Sequence, residues 1–155
     1  MAGYVKHHVG QEYISKKLSG STAVEQGAFL INDIANGEYD LPAANATGEV
    51  VFVANEFDPL VPHNYSGSTF TVAGGDFIKG KPIIQREEYV TTKVTANALA
   101  AAVGTELGVG TGGTLATIAD LSVANLDAFK NTFVIIKKVK LNLVDALIVQ
   151  AKVKA

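Results

Sequence analysis

The sequence predicts a mainly β fold: a compact β-sandwich or barrel-like domain with a small helical insertion and an extended N-terminal arm. Three observations lead there. Short runs rich in Val, Ile, Thr, Phe and Tyr recur along the chain, which is the composition that suits a pleated, half-buried surface. Clusters of Gly, Pro, Asn and Asp separate them, and these residues supply turn geometry. Helical patterns occur only late, so the alternation of strand and helix that builds a parallel sheet is missing. With 155 residues, 48% of them hydrophobic, the chain suits one domain with a substantial core.

In chain order, "MAGYVKHHVGQEYISKKL" opens the sequence without strict alternation, and residues 1–20 are read as an arm ahead of a single β-rich domain at 21–155. The predicted strands are "AFLIND" at 28–33, "GEVVFVAN" at 48–55, "STFTVAG" at 68–74, "PIIQ" at 82–85, "EEYVTTKV" at 87–94 and "TFVIIKKVKL" at 132–141. Between them "NGEYDLPAANATG", "NEFDPLVPHNYSG" and "GGDFIKGK" read as turns and loops. Two helices are expected. Residues 96–103 are Ala-rich with Gly104 as a stop; residues 122–130 take Ser122 as N-cap and Val123, Leu126 and Phe129 as one face. No internal repeat or long linker divides the chain.

The stretch "GVGTGGT" at 108–114 places Gly108, Gly110 and Gly113 at the G-x-G-x-x-G spacing of dinucleotide-binding loops. That fingerprint works when the glycines turn off a strand and open a helix whose N-terminus receives the pyrophosphate. Here a helical pattern precedes the glycines. Asp127, at about the distance of a ribose ligand, falls in a helical pattern instead of at a strand end, and no Lys-Ser/Thr follows as a P-loop requires. The glycines therefore read as a surface turn.

Charge is segregated along the chain. Residues 21–129 hold 13 acidic groups against Lys79, Lys81, Arg86 and Lys93, while the two ends carry a net +7. Lysines at strand edges commonly block edge-to-edge aggregation; the alternative is that basic ends dock on an acidic surface. A single arginine and no aromatics among the lysines argue against nucleic acid as a partner. No cysteine is available for disulfides or thiolate metal sites. No run approaches the length of a membrane span, so the chain is expected to be made in a cytoplasm and to stay soluble.

Catalytic constellations are thin. His7 and His8 are neighbours, which on a strand point to opposite faces and cannot easily share one metal. His63 lies in a loop with Asp58, but Ser66 and Ser68 lack a nucleophile elbow. Glu87 and Glu88 would face opposite sides of a strand. Asp33, Glu38 and Asp40 flank a turn, where carboxylates accept local backbone hydrogen bonds. No residue is assigned a catalytic, cofactor-binding or metal-ligating role. A sugar-binding surface would need stacking rings, and with no tryptophan its candidates are Tyr39, Tyr65 and Phe57.

The arm "MAGYVKHHVGQEYISKKL", the segment "GAFLINDIANGEYDLPAANATGEVVFVANEFDP", the "GGDFIKGKPI" turn and the run "VGTELGVGTGGTLA" resemble the small head proteins of tailed bacteriophages. They are similar in particular to the decoration or cement proteins of the capsid exterior. The resemblance implies a structural virion protein, a symmetric oligomer such as a trimer, bound to major capsid subunits of the HK97-type fold and reinforcing them. No functional residue is carried over from it. From charge and apolar pattern, the expected partner-binding residues are Tyr4, Val5, Lys6, Tyr13, Ile14, Lys16 and Lys17 in the arm, with Lys137, Lys138 and Lys140 near the C-terminus. Other readings are a head-fibre or tail-tube subunit and a β-sandwich carbohydrate-binding module.

Overall fold

The apolar runs assemble into a six-stranded antiparallel sheet, a closed five-stranded barrel and a small three-stranded sheet. The computed structural model describes residues 3–7, 14–53, 65–66, 69–141 and 143–154; for 3–7, 65–66 and 69–70 it describes the backbone alone. The strands are β1 (Gly3–His7), β2 (Ile14–Leu18), β3 (Val24–Glu25), β4 (Phe29–Asp33), β5 (Glu38–Asp40), β6 (Val50–Val53), β7 (Tyr65–Ser66) and β8 (Thr69–Val72). They continue with β9 (Phe77–Pro82), β10 (Glu88–Thr91), β11 (Glu106–Gly110), β12 (Thr114–Ala116), β13 (Asn131–Leu141) and β14 (Val144–Val153). Two short helices are α1 (Ala96–Ala100) and α2 (Ile118–Leu121). The mainly β architecture expected from the sequence is thus the observed one.

The barrel closes in the order β2-β5-β4-β6-β9, and the sheet runs β1-β10-β14-β13-β11-β12. β6 explains how they join. All four of its residues, Val50, Val51, Phe52 and Val53, are buried. Alternation sends Val51 and Val53 into the barrel with Leu18, Leu30, Tyr39 and Ile78. Val50 and Phe52 point the other way, into a core shared with Tyr89, Leu107, Phe133, Leu147 and Val149 of the sheet. A strand covered on both faces reads as an unbroken apolar run, as "VVFV" does. Phe29 joins the shared core, its ring centroid 4.6 Å from Phe133 and 5.2 Å from Phe52.

Five expectations are corrected. The stretch 122–130 is not a helix. Ser122 ends α2 in the left-handed conformation at φ +55, and the start is set by Thr117, whose hydroxyl accepts from the Asp120 backbone while the Asp120 carboxylate accepts from Thr117 N. The Ala-rich helix stops at Ala100, short of 103. "GGDFIKGK", read as a turn, contributes most of β9, because Gly80 is a packing position: a Cβ there would lie 2.9 Å from the Tyr39 ring. "PIIQ" provides only Pro82 to a strand. The boundary between arm and domain also moves. Ile14–Leu18 is a barrel strand, paired with β9 and β5, and Leu18 is fully buried; Gly3–His7 pairs with β10 at one edge of the sheet.

Candidate interaction surface

The glycines of "GVGTGGT" bridge two antiparallel strands. Gly108 and Gly110 lie in β11, a single 3-10 turn covers Thr111–Gly113, and β12 follows. The expected surface turn is corrected in part: Thr111 is exposed and Gly112 half-buried, but Gly108, Gly110 and Gly113 are buried. A Cβ on Gly108 would meet Leu121 at 2.9 Å and Phe129 at 3.0 Å, and one on Gly113 would meet the Phe29 carbonyl oxygen at 2.3 Å. These glycines are small because neighbouring atoms occupy the space, and among the described residues no helix N-terminus adjoins the turn to receive a phosphate.

The acidic turn after β4 is held locally. Asp33 accepts from the backbone and side chain of Asn36, and these bonds set its carboxyl below the ordinary value. Asp40 accepts from the Ser19 hydroxyl. Among the described residues no three His, Cys, Asp or Glu side chains stand close enough to hold a metal ion. His8, His63, Asp58, Phe57 and Ser68 lie outside the described residues, and His7, Tyr65 and Ser66 are placed by backbone alone.

Glu87 and Glu88 part company as alternation requires. Glu87 is fully buried, with its Oε1 3.0 Å from Lys81 Nζ and accepting from the Tyr89 hydroxyl. Sequence reasoning missed this cluster, since neither Lys81 nor Glu87 announces its burial. Tyr39 is the other buried tyrosine among the described residues. Its hydroxyl donates to the Ile14 carbonyl, and burial, with Glu49 as a second cause, pushes its pKa up to about 12.

The residues expected to meet a partner divide into three groups. Tyr4, Val5 and Lys6 are on β1, with Tyr4 opposite Val90 and Val5 opposite Tyr89; Tyr13 lies outside the described residues. Lys16 is engaged within the fold. Its Nζ donates to Asn32 Oδ1 at 2.6 Å and lies 5.4 Å from the Tyr39 ring centroid. Ile14 and Lys17 are exposed. Lys17 stands on the outer wall of the barrel directly opposite Phe77, which is 72% exposed. Lys137, Lys138 and Lys140 are exposed on the far half of β13, where Lys140 pairs with Asp145 at 2.7 Å. Lys17, Lys137 and Lys138 have no carboxylate partner among the described residues.

Exposed apolar side chains accompany these cations: Phe77 beside Lys17, and Leu143 and Val144 at the end of the β13–β14 hairpin. Their type could be read from the sequence; their exposure could not, because it depends on which face the barrel and the hairpin turn outward. No family model matches this chain, and no curated protein is significantly similar to it.

Proposed function

We propose that this chain is a structural virion protein of a tailed bacteriophage, a decoration or cement protein that binds the capsid exterior and stabilises it. Its partners in this reading are a major capsid protein of the HK97-type fold and further copies of itself. It works by attachment and without catalysis. The observation that carries the reading is the outer wall of the barrel, where Phe77 and Lys17 face each other in register and both are exposed. A closed barrel leaves no unpaired edge and resists deformation. An aromatic ring held open to water beside a cation on such a frame suits a surface that another protein covers. The cations of β13 extend the same character to the sheet, and Phe77 adds an apolar anchor to the basic ends expected from the sequence.

The experiment is co-sedimentation of the purified chain with undecorated capsids of the phage that encodes it, together with mass spectrometry of intact particles. Saturable binding and hundreds of copies per particle are expected. A chain absent from particles and unable to bind them would defeat the proposal.

A further inference from the structure

The β13–β14 hairpin outruns its sheet. β10 accompanies β14 only as far as the pair Thr91/Leu147, and β11 leaves β13 at Val134. The pairs Val139/Ala146, Lys140/Asp145 and Leu141/Val144 therefore have no further strand beside them among the described residues. Beyond them sits Leu143, 90% exposed and at φ +67. Hairpin turns needing positive φ favour Gly, Asn or Asp, and a bulky residue there is an outlier. Turn geometry alone would select glycine, and contact with water a polar residue. Leucine answers neither demand. Lys137 and Lys138 stand behind it, exposed and without carboxylate partners among the described residues.

A complementary surface exists on the same molecule. The turn joining β4 to β5 carries Ile34, 73% exposed, next to the register pair Asp33/Glu38. The hairpin end carries Lys137, Lys138 and the Lys140/Asp145 pair, and the other end carries Asp33 and Glu38, with Lys17 in register beside Glu38. The two surfaces lie at opposite ends. Where β13 begins, Asn131 Oδ1 accepts from Val50 N, and Val50 pairs with Ile31 near the end of β4. Toward the hairpin tip, Thr91 pairs with Leu147 and its hydroxyl donates to the Gly27 carbonyl, just before β4 begins. The hairpin thus leaves the body at the Gly27 end of β4, and Ile34 leaves it at the other.

We infer that the chain associates head to tail: Leu143 of one copy seats against Ile34 of the next, which brings the basic hairpin, with Lys137 and Lys138 on its opposite faces, to the end of the neighbour that carries Asp33 and Glu38. A two-fold contact between hairpins would set lysines against lysines, whereas a head-to-tail contact pairs opposite charges. The rotation per copy decides between a closed ring and an open chain. This inference names the contact behind the self-association proposed above and holds whether or not the assembly sits on a capsid.

The test is sedimentation velocity of the full chain from micromolar to millimolar concentration at low salt. Wild type should associate with concentration. Leu143→Gly, which keeps the turn and removes the apolar tip, and Ile34→Lys, at an exposed position, should each stay monomeric with unchanged circular dichroism. Mixed in equal amounts they retain one intact contact between them, so a 1:1 dimer should form and nothing larger. A wild type that stays monomeric, a Leu143→Gly chain that associates like wild type, or a mixture no larger than its parts would each overturn the inference. Association that follows these rules in a chain that does not bind capsids would sink the capsid reading alone.

Discussion

Lys81 Nζ lies 3.0 Å from Glu87 Oε1 at a point sealed from solvent, and the Tyr89 hydroxyl donates to the same oxygen. Lys81 comes from the barrel strand β9, Tyr89 from the sheet strand β10, and Glu87 immediately precedes β10. The cluster therefore ties the two assemblies together. Removing one partner of a buried ion pair leaves an uncompensated charge and costs about 3–5 kcal/mol. Lys81→Met should lower stability by that order in urea unfolding. The double change Lys81→Met with Glu87→Gln should recover part of it, because the neutral amide still accepts from Tyr89. A Lys81→Met midpoint equal to wild type would show that the pair contributes nothing net.

Gly113 and Gly112 make an internal comparison. Both have positive φ, +70 and +76, so alanine is strained at either position. At Gly112 the nearest atom to a new Cβ is Thr114 Oγ1 at 3.8 Å, whereas at Gly113 it is the Phe29 carbonyl oxygen at 2.3 Å. Gly112→Ala should cost about 1–2 kcal/mol, the left-handed penalty alone. Gly113→Ala should cost distinctly more, because the backbone of β4 must move and Phe29 lies in the shared core. Equal costs in chemical denaturation would contradict the close approach.

These glycines illustrate what can be read from a sequence and what cannot. The pattern showed that "GVGTGGT" turns the chain, and composition showed a β fold. Whether a glycine faces solvent or a neighbour depends on partners distant in sequence, here Phe29, Leu121 and Phe129. The same blindness hid β9, whose Gly80 mimics a turn residue. It also reversed Ser122, a residue type favoured at N-caps, which here closes α2 in the left-handed conformation. The lysines of the interaction surface were legible as charge. Lys16, bound to Asn32, shows that charge alone does not give availability, and the exposure of Phe77, Ile34 and Leu143 is decided only by the assembled fold.

Deletion of residues 1–17 distinguishes an appended arm from a structural strand. Ile14–Lys17 pair with Phe77–Gly80, and Lys17 also faces Glu38, so the deletion removes most of β2 and opens the barrel between β5 and β9. Loss of cooperative thermal unfolding is expected for the truncated chain. Deletion of residues 1–7 alone should remove only the edge strand β1 and preserve the barrel. A cooperatively folded 1–17 deletion would refute the structural role of β2.

Asp120 gives a pH-dependent test. Its carboxylate accepts from the Thr95 hydroxyl and the Asn97 amide as well as from Thr117 N, joining the starts of α1 and α2. These bonds, that from Thr95 foremost, hold its pKa below the ordinary 3.8. A depressed carboxylate pKa means that its stabilisation is complete above the unfolded value and is lost as pH falls through the folded one. Asp120→Asn should therefore lower stability near neutrality by about 0.2–1 kcal/mol, because the site is exposed and its charge is screened by solvent. The difference from wild type should vanish in acid. A deficit that persists at low pH would assign the effect to packing.

Charge reversal on the hairpin tests the capsid reading through its salt dependence. Lys137 and Lys138 have no carboxylate partner among the described residues, whereas Lys140 pairs with Asp145. Changing the first two to Glu should leave the fold intact, because exposed pairs and charges contribute only about 0.2–1 kcal/mol. Reversal of Lys140 would place two carboxylates opposite each other and should loosen the hairpin itself. In co-sedimentation with undecorated capsids, wild type should bind best at low ionic strength and the Lys137→Glu, Lys138→Glu chain markedly less. The two should converge as salt shortens the screening length below about 8 Å, leaving the apolar contribution of Phe77 common to both. Replacing Phe77 by Ser should then weaken attachment equally at low and high salt. Attachment insensitive to salt and to the lysine reversal would show that the basic strand plays no part in docking.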